Sequence, residues 1–101
     1  MTLDEPPMAA VQVTAVLFAL SDPVRLRIVS ELRGGGEFPC GHLGPDMPKA
    51  TRSHHLKVLR EAGVTTTRRE GTIKYVRLRT EELATRFPGL LDAVLAETAP
   101  A

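Results

Sequence analysis

The sequence predicts a mainly α domain carrying one β-hairpin, an α+β fold class, on three observations. Apolar residues recur at helical spacing on both sides of the middle third of the chain. After Gly63 the period drops to two around a glycine-bearing turn, as in a hairpin. Proline and glycine stand where elements should start or stop. The chain has 101 residues, enough for one domain with a single core and too few for two.

Residues 1–7 hold two prolines and two acids and little apolar material, which predicts a flexible arm ahead of a single domain over residues 8–98. Residues 8–19 read as a helix that is apolar over most of its circumference, with Met8, Val11, Val16, Leu17 and Phe18. In "SDPVRLRIVSELRGGG", Ser21 or Asp22 is the N-cap and Pro23 the first helical residue. The inward stripe there is Val24, Ile28, Val29 and Leu32, and Gly34–Gly36 end the run. Residues 38–44 predict a short helix, and "GPDMP" a turn from which Pro48 starts the next helix, about 48–61. Gly63 ends that helix as its C′ residue. "VTTTRR" and "TIKYVRLR" flank Glu70-Gly71 and predict a hairpin over about 64–78. Leu83, Phe87, Leu90, Leu91, Val94 and Leu95 return to helical spacing over about 81–97. Pro88-Gly89 predicts a break there, with a second piece starting at Pro88.

The formal net charge of +1 hides an asymmetry. Residues 49–79 carry nine basic and two acidic residues, a net +7. Residues 1–48 carry three basic and six acidic, and residues 80–101 one basic and four acidic, each a net −3. A basic block that coincides with one helix and one hairpin predicts a polyanionic partner. Met8 to Leu20 is too short to span a bilayer, which takes about 20 residues, and it lacks the flanks of a signal peptide. The single cysteine, Cys40, cannot form an internal disulfide, so a reducing cytoplasm is the expected compartment.

The stretch "TRSHHLKVLREAG" concentrates the chemistry. At 100° per residue, Lys49, Ala50, Ser53, His54, Lys57 and Arg60 share one half of the helix, and His55 and Leu59 lie nearly opposite. Small residues allow a close approach, and the hydroxyls and His54 can donate and accept hydrogen bonds. Such a face fits a DNA major groove. Arg68, Arg69 and Lys74 at the hairpin tip extend the basic surface, although edge strands also use charge against aggregation. The apolar surfaces of the first and last helices exceed what so small a domain needs, which predicts a symmetric dimer seam through Val11, Leu17, Leu90, Leu91, Val94 and Leu95.

Helix, helix, short helix, turn, helix, hairpin, helix is the order of a winged helix-turn-helix. "ALSDPVRLRIVSEL", "SHHLKVLREAGV" and "RREGTIKYVRL" together resemble the ArsR/SmtB family of bacterial transcriptional repressors over roughly residues 15–80. The resemblance implies a homodimer, built from first and last helices, that binds a palindromic double-stranded DNA operator and releases it when an effector binds. It implies base or backbone contacts from Lys49, Ala50, Thr51, Ser53 and His54. Lys57 and Arg60 would meet phosphates, and Arg68, Arg69 and Lys74 the backbone or minor groove. Arg52 departs from the aliphatic residue usual in the family, so it is expected to snorkel to a phosphate or pair with an acid.

Both familiar metal motifs of the family are missing. The positions of its cysteine pair fall on Pro39 and Gly41, and the last helix offers Asp92 and Glu97 without histidine. No cofactor is therefore expected. The alternative is a nickel- or zinc-type repressor with a divergent site built from Cys40, His42 or acids such as Asp4, Glu5 and Asp92. Otherwise the effector is a small organic molecule, a redox change at Cys40, a partner protein, or none. An enzyme is not expected, because adjacent histidines on one helix diverge and nothing near Cys40 in sequence activates it. A winged-helix protein-interaction module is the rival to DNA binding.

Overall fold

The computed structural model describes residues 4–96. Five helices, α1 (Val13–Ala19), α2 (Pro23–Leu32), α3 (Lys49–Glu61), α4 (Thr80–Arg86) and α5 (Leu90–Ala96), surround a three-stranded antiparallel sheet. Its strands are β1 (Phe38–Pro39), β2 (Thr65–Glu70) and β3 (Ile73–Leu78), in the order β1-β3-β2. One core joins all the layers, with Val16, Ile28, Leu32, Leu59, Val64, Val76 and Leu83 buried in it. This is the expected winged helix-turn-helix.

Asp22 is the N-cap of α2: Oδ1 accepts from the Val24 and Arg25 backbone N–H groups at 2.8 and 3.1 Å, and Pro23 stands at the first position. Partial burial works to raise the Asp22 carboxyl. The two N–H donors and the charge of Arg25 outweigh it and hold the group below its ordinary value. Asp22→Ala should cost about 1–2 kcal/mol at neutral pH. Because the folded-state value is the lower one, this contribution is fully present above the unfolded value of about 3.9 and disappears as pH falls through the folded value. Urea melts of wild type and variant should therefore differ at pH 7 and converge at strongly acid pH.

Three segments differ from expectation. The run 8–19 is not one helix: a 3₁₀ turn at Met8–Ala10 is followed by extended Val11 and Gln12 before α1 begins. Nothing in the local sequence breaks this run. Val11 is 2% exposed, and its carbonyl accepts from Arg86 Nη2 at 2.8 Å, so burial of Val11 decides the local conformation. Residues 38–44 are not a helix either. Phe38 and Pro39 pair with Val76 and Tyr75 as an edge strand, where a proline lacking an N–H is tolerated, and a 3₁₀ turn follows at Cys40–His42. The arm is tied down from residue 4. The Asp4 carbonyl accepts from Arg60 Nε at 3.1 Å, and the Glu5 carboxylate accepts from the Thr66 hydroxyl at 2.8 Å. The Pro6 carbonyl accepts from Arg79 Nη1 at 2.8 Å.

The remaining elements follow the sequence closely. Glu70 pairs with Ile73, so the hairpin turn is Gly71-Thr72, one residue later than expected, with Gly71 at φ +62°. The tail breaks at residues 87–89, and α5 starts at Leu90 rather than at Pro88. The expected reach of this helix to residue 97, and Glu97 itself, lie outside the described residues. Among the described residues no helix is long and apolar enough to cross a membrane.

Candidate nucleic-acid interface

Helix α3 is presented by contacts that hold the turn before it. Arg52 Nε donates to the Leu43 carbonyl at 3.0 Å, and the Gly44 N–H donates to Glu31 Oε1 on α2 at 2.7 Å. Leu56 and Leu59 are buried, at 7% and 0% exposure, and turn the opposite face outward. Lys49, Ala50, Thr51, Ser53, His54 and Lys57 are all exposed on it. The face drawn from the helical wheel is thus assembled as expected, apart from Arg60, which is half-buried against the Asp4 carbonyl. Arg52 is half-buried, and its Nε meets a backbone carbonyl rather than an acid.

The two histidines separate as their positions demand. Their ring centroids are 5.7 Å apart with planes tilted by 55°. His54 faces out, while His55 Nδ1 lies 3.2 Å from Arg25 Nη1. A guanidinium only donates, so Nδ1 is the acceptor. Arg25 is buried at 7% exposure, and its Nε also donates to the Ala19 carbonyl at 2.7 Å. It thereby links the end of α1 to α3. Its charge disguises it among the apolar stripe, but its place is legible in the sequence: Arg25 lies three, four and seven residues before Ile28, Val29 and Leu32, on the inward face of α2.

The wing, β2 and β3, places its three cations differently. Arg68 grips both oxygens of Glu37 at 3.1 and 2.9 Å, reaches Glu70 at 3.1 Å, and lies 5.0 Å from the Tyr75 ring centroid. The hydrogen bonds to Glu37 and Glu70 raise the Arg68 guanidinium and lower Glu37. Arg68 therefore braces the wing against the segment after α2. Arg69 and Lys74 sit directly opposite each other across the strands, on the pleat face that also carries Thr67 and Val76. Between this face and α3 lies a groove of about 600 Å³ bordered by Lys49, Arg52, Arg60, Arg69 and Lys74. Among the described residues no group of three or more His, Cys, Asp or Glu side chains is placed to hold a metal ion.

The expected dimer residues divide into two sets. Leu17 on α1 is 46% exposed, beside Phe18 at 65% and Val13 at 42%. Leu90, Leu91 and Val94 are half-buried. Val11 and Leu95, at 2% and 1% exposure, are buried in the core of their own chain.

Known proteins resemble the chain over most of its length. A helix-turn-helix domain model matches residues 20–68. The HTH-type transcriptional regulator YceK of Bacillus subtilis is 44% identical over 82% of this chain and 87% of its own length. The transcriptional repressor BigR from Xylella fastidiosa superposes with a TM-score of 0.67 at 34% identity, over 88% of each chain. A crystal structure described as a possible transcriptional regulator for arsenical resistance superposes with a TM-score of 0.62 at 31% identity, over 83% of this chain and 96% of that one. With the winged fold and the exposed basic helix in place, these likenesses assign the chain to the ArsR/SmtB family of winged helix-turn-helix transcriptional repressors, DNA-binding regulators rather than enzymes.

Proposed function

We propose that the protein represses transcription in the bacterial cytoplasm by binding a palindromic operator as a homodimer and leaving it when an effector binds. The observation that carries this reading is the exposed face of α3, where Lys49, Ala50, Thr51, Ser53, His54 and Lys57 project together beside the basic wing. Ser53 and His54 read base edges in the major groove, Ala50 lets the helix backbone approach, and Lys49 and Lys57 meet phosphates. Arg69 and Lys74 hold the flanking backbone, while Arg68 orients the wing from behind. The reading takes no metal cofactor: Pro39 and Gly41 occupy the positions of the family's cysteine pair, and His55 is engaged by Arg25.

Salt dependence tests the reading. Neutralising six or more phosphates per dimer gives a slope of log affinity against log salt of about −5 or steeper. Fluorescence anisotropy with a duplex carrying an inverted repeat from the gene's own upstream region should show that slope. A slope near zero would refute the proposal.

A further inference from the structure

We propose that Arg25 and His55 form a proton-controlled clamp that positions α3: neutral His55 holds the helix in its DNA-reading placement, and a proton on His55 releases the operator. The inference rests on the DNA-binding reading and names the regulation of that surface. Arg25 is 7% exposed and joins three elements. From α2, its Nε donates to the Ala19 carbonyl at 2.7 Å and its Nη2 to the Phe18 carbonyl at 3.3 Å, both at the end of α1. Its Nη1 lies 3.2 Å from His55 Nδ1 on α3. The guanidinium only donates, so this contact exists while Nδ1 keeps its lone pair, in the neutral ring that carries its proton on Nε2. Of the three acceptors, the two carbonyls cannot titrate and the imidazole can. Histidine is the side chain whose charge ordinarily changes between about pH 5 and 8.

A proton on Nδ1 removes the acceptor and sets two cations against each other where little water screens them. Arg25 is buried and held by two carbonyls, so the half-buried His55 ring is the partner that gives way. The charged groups around the ring set the direction. The Asp22 carboxylate at the start of α2 is near enough for its charge to act on a protonated ring, which Arg25 repels and Asp22 attracts. On α3 itself the His54 ring centroid lies 5.7 Å away. Arg52, one turn back, is bound through Nε to the Leu43 carbonyl. Helix α1 brings no titratable side chain. Strand β2 packs on the side of α3 that carries Leu56 and Arg60, where its Arg69 borders the groove. His55 adjoins Ser53 and His54 on the helix, so driving its ring off Arg25 disturbs the face that those two residues present. The same guanidinium lies 5.5 Å from the Phe18 ring centroid, so the clamp runs from the exposed apolar patch of α1 to α3.

The test measures operator affinity from about pH 7.5 to about pH 5.5 for wild type, His55→Asn and His55→Ala. The side-chain amide of His55→Asn keeps an acceptor oxygen near the place of Nδ1 and does not titrate, whereas His55→Ala removes the acceptor. One linked proton per chain changes affinity by up to about tenfold per pH unit. Wild type should therefore bind at least tenfold more weakly at the acid end. His55→Asn should match wild type within threefold at the neutral end and change less than threefold across the range. His55→Ala should be at least tenfold weaker than wild type at the neutral end. A proton on the exposed His54 acts with the opposite sign, because it adds a cation facing phosphates, and it is common to all three proteins. Circular dichroism at each pH checks the fold, and if His55→Ala does not fold, the His55→Asn profile decides. Equal pH profiles for wild type and His55→Asn would overturn the proposal, as would wild-type affinity in a folded His55→Ala. Nitrogen NMR of the free protein separates the clamp from the regulator reading. At neutral pH the His55 ring should carry its proton on Nε2, and acid should shift the Ala19 and Leu20 amides in wild type but not in His55→Asn. Absence of operator binding at every pH would refute the regulator reading, and the clamp would then stand or fall on those resonances.

Discussion

Replacing Gly63 by alanine is expected to destabilise the domain by about 3–4 kcal/mol. Gly63 follows the Ala62 C-cap of α3 at φ +87°, in the left-handed region. Its N–H donates to the Arg60 carbonyl and the Val64 N–H to the Leu59 carbonyl, both at 3.0 Å, the bond pattern of a Schellman motif. A side chain there costs about 1–2 kcal/mol in backbone strain. The new Cβ would also overlap the Val11 side chain, which is buried and anchored through its carbonyl by Arg86. Overpacking adds about 1–3 kcal/mol. Against a total stability of about 5–15 kcal/mol this is a large fraction, and thermal melting should fall on the order of 15 °C or more. Adding Val11→Ala should recover the overpacking part and leave the strain. A Gly63→Ala protein melting within two or three degrees of wild type would contradict the packing described for this turn.

A charge on α1 is expected to abolish tight operator binding while leaving the fold intact. Leu17, Phe18 and Val13 form an exposed apolar patch that the other described residues leave uncovered, the surface expected of a dimer seam. A palindrome presents two half-sites, and a dimer that holds one finds the other at high effective concentration. Leu17→Glu should therefore lower operator affinity by about 10²-fold or more. Wild-type sedimentation should give a mass of about 22 kDa, twice the 11.0 kDa chain, and the variant the mass of one chain. Leu95→Glu is the wrong probe, because Leu95 is buried within its own chain and a carboxylate there would unfold it. A wild type that sediments as a single chain and still binds tightly would contradict the dimer.

The parts of the fold legible in the sequence are those whose own residues suffice to specify them. The proline and N-cap at the start of α2, the wheel of α3, the glycine after it and the alternation of the wing all act over a few residues. What the sequence hid depends on distant partners. A two-residue strand at Phe38–Pro39 exists only because β3 lies beside it. The break at Val11–Gln12 has no proline or glycine to mark it and is made by the core. The arm is held through the backbone carbonyls of Asp4 and Pro6, groups every residue carries, so no side-chain pattern reveals them. At the interface, the wheel identified the outward face of α3, but charge alone could not show that Arg68 is already committed to acids. Arg68 meets Glu37 from 31 residues away, and only the folded chain brings them together.

The central claim, that α3 reads sequence while the wing anchors, is tested most directly by measuring operator and random-duplex affinity side by side for Ser53→Ala, His54→Ala and Arg69→Ala. Loss of a base contact costs about 1–3 kcal/mol on the correct site. Ser53→Ala and His54→Ala should weaken operator binding by that amount and barely change binding to random DNA, whereas Arg69→Ala should weaken both about equally. If all three substitutions lowered the two affinities in the same proportion, α3 would not be the element that reads the operator.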